Sequence, residues 1–110
     1  MNKEIAVKEE KKKKAPDGFI WIDHTFVDRF GGDKEVTFDF LFKRPTKGAC
    51  ERAQGKMTKK PGAAFRNLCV SCVHEDSKDN MLAAFDKFPG LPTSFGNALL
   101  EAAGFGDLRN

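Results

Sequence analysis

The chain has no tyrosine, a single tryptophan and only three cysteines in 110 residues. No apolar run approaches the roughly 20 residues that a membrane-spanning helix needs, so no membrane role is expected. The N-terminus is polar and charged and has no apolar centre, which argues against a secretory leader. An odd, small cysteine count argues against a disulfide framework and for a reducing cytoplasm. There is no phosphate-binding P-loop, no glycine-rich dinucleotide fingerprint and no HExxH. Neither enzymatic activity nor a cofactor is therefore expected. Phenylalanine, by contrast, occurs eleven times, and the length suits one domain with one core.

The net charge of +3 is unevenly spread. Residues 43–66 hold eight basic residues and one acid, while the stretches on either side are net acidic. This basic middle is the charge feature able to steer a partner. Residues 1–17 have almost no large apolar side chains and cannot offset their ordering entropy, so a disordered basic tail is expected, followed by one domain over residues 18–108. The lysine run at 11–14 reads as a solvated tail or, alternatively, as a nucleic-acid contact.

Residues 19–22 (FIWI) are strongly β-prone. Residues 23–30 admit two readings. As a helix, Asp23 caps, Ile22 and Val27 form a staple, and Gly31 terminates. As a strand, Ile20, Ile22, Phe26 and Phe30 share a face that His24 and Asp28 interrupt. The short helix is preferred. Residues 36–42 are the clearest strand, with Val36, Phe38, Phe40 and Phe42 on one face and Thr37 and Asp39 on the other. Such a strand must pair, with the FIWI run or with another molecule.

Beyond it the signals are helical. Pro45 ends the strand, Thr46 can cap, and Ala49, Cys50, Ala53 and Met57 form one side of a helix. Pro61 suits a first turn, and Ala64, Phe65, Leu68, Cys69, Cys72 and Val73 make a stripe. Ser77 can cap a third helix carrying Met81, Leu82, Phe85 and Phe88. Pro89-Gly90 stops it, and Pro92 opens a fourth with Phe95, Ala98, Leu99 and Ala102 on one face. Gly104 fits the left-handed position after the last turn, which would bring Phe105 against Leu100. The expected fold is α+β, a short N-terminal β segment followed by a bundle of about four helices.

Three groups of residues invite a chemical reading. Cys69 and Cys72 form a C-x-x-C, with His74 and Cys50 as further zinc or redox candidates. Their place on an apolar stripe favours burial as small hydrophobes, and no metal site is expected. His24 beside Asp23 could do acid–base work but lacks a nucleophile. The span 43–66 could grip phosphates, yet its only aromatic, Phe65, lies on the apolar face. Nucleic-acid binding by a small basic regulator is thus the alternative function, and an acidic protein partner fits the span at least as well. The helices also carry more apolar faces than one core needs. If Pro89-Gly90 and Pro92 splay the chain there, Phe88, Leu91 and Phe95 reach the surface as a partner-binding corner, with Arg44 and Arg52 adding charge. Otherwise these faces all close on the phenylalanine row.

Residues 36–105 resemble the tail assembly chaperones of long-tailed bacteriophages and prophages. The resemblance lies in FLFKRPTKGACERA, a phenylalanine-rich strand passing through Arg-Pro into a basic helix, and in FRNLCVSCV and FDKFPGLPTSFGNALLEAAGF. It implies a non-enzymatic protein of the host cytoplasm, absent from the mature virion. Such proteins coat the helical tape-measure protein and contact tail tube subunits before the tube polymerises. Many also exist in a longer, frameshifted form. Self-association is compatible with this role.

Overall fold

The structure, a computed structural model, describes residues 14–105. Most of the expected basic tail and the end of the expected domain lie outside the described residues.

The chain begins with a β-hairpin of β1 (Phe19–Asp28) and β2 (Lys34–Lys43), paired antiparallel from Phe19↔Lys43 to Asp28↔Lys34. Four helices follow: α1 (Lys47–Met57), α2 (Pro61–Cys72), α3 (Glu75–Lys87) and α4 (Leu91–Ala102). The architecture is the expected α+β one. The expected helix over 23–30 is instead the second half of β1 plus one 3-10 turn at Arg29–Gly31. Register explains the correction. Ile22, His24 and Phe26 lie opposite Phe40, Phe38 and Val36, so they share the row's face. His24, which looked like an interruption, sits with its ring centroid 5.7 Å from Phe26 and 6.2 Å from Phe95. Asp28 closes the hairpin by accepting from Gly31 N–H through its side chain and from Asp33 N–H through its carbonyl. Gly32 and Asp33 take the positive φ values of 85° and 60° that the tight turn requires.

The helix ends are set locally. Thr46 Oγ1 accepts from Ala49 N–H at 3.0 Å and starts α1. Pro61 occupies the first turn of α2 and Pro92 that of α4, where a missing N–H costs nothing. At the end of α4, Phe105 N–H reaches Leu100 C=O and Gly104 N–H reaches Glu101 C=O, both at 3.0 Å, with Gly104 at φ +107°. That is the Schellman ending expected from Gly104. The cap of α3 differs from expectation. His74 Nδ1 accepts from Asp76 N–H, whereas Ser77 is buried inside the helix and its Oγ accepts from Leu41 N–H at 3.1 Å. A long-range demand from β2 therefore took the hydroxyl that local sequence assigned to the cap.

One face of the hairpin packs on the helices. Phe40, Phe42, Phe65, Leu68, Met81, Phe85, Leu91, Phe95, Leu99 and Leu100 form the buried centre, and Ile22, Phe26 and Phe38 lean on it. α4 lies at the middle of this core and touches α2 closely, and α1 also packs on α2. No helix among the described residues is long and apolar enough to cross a membrane.

Candidate protein-binding surface

Two residues, Arg44 and Pro45, join the end of β2 to the cap of α1. Pro45 is buried and Arg44 exposed, so the link presents a cation above an apolar base. A cleft opens on each side. One, of about 530 Å³, runs between the open end of the hairpin and the last turns of α4, over Phe19, Ile20, Phe42, Leu99 and Ala102. The other, of about 400 Å³, runs between α1 and the Schellman turn, over Cys50, Gln54, Ala103 and Phe105. They meet at Arg44 and Pro45. Lys43, Arg44 and Lys47 line them against a single acid, Glu51. Ile20 is 51% exposed, a large share for an isoleucine.

Only part of the expected site lies here. Arg44 does. Leu91 and Phe95 do not: they are 2% and 0% exposed, because α4 starts at Leu91 and carries Phe95 straight onto the phenylalanine row. The proline-rich link thus leads α4 back into the core instead of splaying it outward. Phe88 is half-buried, edge-on to Phe26 at 5.0 Å, with Lys87 Nζ 5.4 Å from its ring centroid. Arg52 lies with Lys56 at a small cleft of about 70 Å³ between α1 and α2, and lines neither cleft at Arg44. The basic span nevertheless faces solvent, with Arg52, Lys56, Lys59, Lys60 and Arg66 all exposed. Among the residues that sequence reasoning did not place at a binding surface are Phe19 and Ile20. Ile20 was findable from the hairpin register, which sets it opposite Phe42, had residues 23–28 been read as strand.

The other chemical candidates are accounted for by packing. Cys50, Cys69 and Cys72 are free and buried. Burial pushes all three thiols up, and the neighbouring Cys72 adds to the rise at Cys69. Cys69 Sγ–H points at Pro92 C=O, 3.9 Å away. His74 stands edge-on to Phe19 with centroids 4.6 Å apart and uses Nδ1 as a cap. Among the described residues no group of three or more His, Cys, Asp or Glu is arranged to hold a metal. Asp23 and His24 are consecutive strand residues and face opposite sides of β1, so they do not form an acid–base pair. The thiols are expected to resist iodoacetamide in the folded protein at pH 8 and to react after unfolding in urea. Because their folded values are raised, the unfolded chain loses thiol protons first. Stability is therefore intact below the ordinary thiol range and falls as pH rises through it and beyond. Urea midpoints measured from neutral to alkaline pH check this, and Cys69→Ala should flatten the alkaline decline.

The family model described as "Domain of unknown function (DUF6848)" matches residues 25–110. A solved structure of an uncharacterised protein from Bacillus stearothermophilus is similar, with 23% identity and a TM-score of 0.63 over 94% of this chain and 97% of that one. That similarity shows the fold alone. No curated protein matches the chain.

Proposed function

This chain belongs to the DUF6848 family of domains of unknown function, and we propose that it is a non-enzymatic chaperone of phage tail assembly. It would hold the tape-measure protein, and contact tail tube subunits, in the host cytoplasm before the tube polymerises. The resemblance of residues 36–105 to tail assembly chaperones supplies the client class. The observation that carries the binding role is the pair of apolar clefts meeting at Arg44-Pro45 beneath Lys43, Arg44 and Lys47. Apolar floors with a cationic rim suit one face of an amphipathic helix bearing acids at its margin. The cations would speed encounter more than they tighten the complex.

Co-expression with the tape-measure protein of the same genome tests this reading. The client alone should aggregate, and the pair should stay soluble and co-purify. Ile20→Ser should weaken the complex while changing fold stability by no more than about 0.5 kcal/mol, since the residue is half exposed. Arg44→Glu should mainly slow association and alter its salt dependence. A client equally insoluble with and without this protein would remove the reading's main support.

The exposed cations of α1 and α2 favour a second reading, nucleic-acid binding. Labelled duplexes of unrelated sequence discriminate. Non-specific phosphate contact should fade steeply between about 50 and 200 mM salt. Tight binding to one duplex near physiological salt would put the regulator ahead of the chaperone.

A further inference from the structure

The hairpin carries different chemistry at its two ends. Towards the turn, Phe88 packs on Phe26 and Phe38 at centroid distances of 5.0 and 5.7 Å. Beyond these rings residues 29–35 are all exposed. Phe30, in the 3-10 turn, is 103% exposed, so its ring stands clear of the other described residues. Val27 is 50% exposed and lies opposite Glu35, on the same face of the sheet. Two of the three acids at this end are engaged within the turn: Asp28 accepts from Gly31 N–H, and Asp33 pairs with Arg29 at 2.9 Å. Glu35 has Val27, and no cation, across the ladder. The tip is therefore an apolar knob with an acid at its side. The open end of the hairpin carries the counterpart. There the cleft of about 530 Å³ is floored by Ile20, Phe42 and Leu99 and rimmed by Lys43 and Arg44, and no acid lines it among the described residues.

We propose that the hairpin tip of one copy seats Phe30 in this cleft of the next, so that copies of the chain associate head to tail. Complementarity selects the second copy as the occupant. An apolar knob meets an apolar floor, and Glu35 meets the opposite sign at Lys43 and Arg44. The tip of the same chain cannot reach, because ten paired positions hold the two ends of the hairpin about 30 Å apart. The two surfaces are different patches at opposite ends of one rigid ladder. Each contact therefore leaves a free tip on one copy and a free cleft on the other, and the association continues into a ring or an open chain. A single contact is weak. One aromatic side chain brings about 150–250 Å² to it, far short of the roughly 1,200 Å² at which stable interfaces begin. The association is thus reversible and set by concentration. It shares a cleft with the function proposed above and needs that cleft to bind, but it does not depend on what the client is. A client helix and a second copy exclude each other there.

Sedimentation equilibrium of the full chain, without any client and up to millimolar concentration, tests the proposal. The mass should rise with concentration and pass twice that of one chain, and added salt should reduce the rise. Phe30→Ser removes the knob at a fully exposed position and should leave a monomer with the wild-type urea midpoint. Ile20→Glu closes the cleft to an acidic tip and should also leave a monomer. Arg44→Glu, at an exposed position, replaces it if Ile20→Glu does not fold. The deciding measurement mixes the two monomeric variants. The intact tip of the cleft variant fits the intact cleft of Phe30→Ser, so the mixture should form one-to-one pairs and stop there. A wild-type chain that stays monomeric would overturn the proposal, whether the cleft is empty or filled by residues 1–13. So would association that survives Phe30→Ser, a wild-type mass that levels off at two copies, or a mixture that does not pair. None of these outcomes bears on co-purification with the tape-measure protein, so the two readings fail separately.

Discussion

Phe95→Ala is expected to lower stability by about 3–5 kcal/mol, the usual cost of emptying a buried phenylalanine site. Phe95 is fully buried and its ring lies 5.1 Å from Phe40, 5.9 Å from Phe42 and 6.3 Å from Phe85, centroid to centroid. Domains of this size have only about 5–15 kcal/mol in total, so the variant should be partly unfolded on warming. Urea unfolding measures it: the midpoint should drop sharply with little change in slope. Phe88→Ser, at a half-buried ring, should cost distinctly less. The contrast bears on function, because sequence alone put Phe95 on a binding corner, where its loss would weaken a complex and spare the fold. Equal midpoints for Phe95→Ala and wild type would return Phe95 to the surface and break the core described above.

Gly96→Ala is expected to destabilise the protein, and Gly55→Ala to stabilise it. Both glycines lie inside helices, where alanine is intrinsically better by about 1 kcal/mol. At Gly55 an added Cβ meets nothing within 4 Å. At Gly96 it would lie 2.5 Å from Phe65 Cδ1, 2.7 Å from Phe65 Cβ and 3.0 Å from Cγ. Phe65 is buried on α2, and its Cβ is tied to the backbone, so a rotamer change cannot clear the space. α2 and α4 must move apart, with an overpacking cost of about 1–3 kcal/mol that outweighs the propensity gain. Thermal midpoints of the two variants should therefore shift in opposite directions. A rise at Gly96 would mean that the two helices do not approach as closely as described.

Much of the fold was legible because its signals act over a few residues. Thr46 bonds an amide three positions on, and Phe105 bonds a carbonyl five positions back. Prolines at 61 and 92 set φ in their own residue. The phenylalanine row of β2 follows from the two-residue period of a strand, whatever covers it. The clefts were far less legible. Their walls come from β1, β2, α1 and the end of α4, residues up to some eighty positions apart, and only Arg44 among the five expected site residues lines them.

The amino-acid sequence by itself determined where α1, α2 and α4 begin and how α4 ends, that one strand carries an aromatic face, and that residues 43–66 concentrate positive charge. Those properties depend on bonds and periods within a turn or two of the chain. Tertiary structure alone decided four others. Residues 23–28 became strand because β2 offers them a partner, against local cap signals of comparable strength. Ser77 serves Leu41 and leaves the cap to His74. Gly96 is required because α4 runs against Phe65. Phe95 is core and Ile20 is surface, although both are large apolar residues on apolar stripes. Apolar pattern states which side chains prefer to leave water. Which of them succeed depends on how many faces the other elements can cover, and that is a property of the assembled chain.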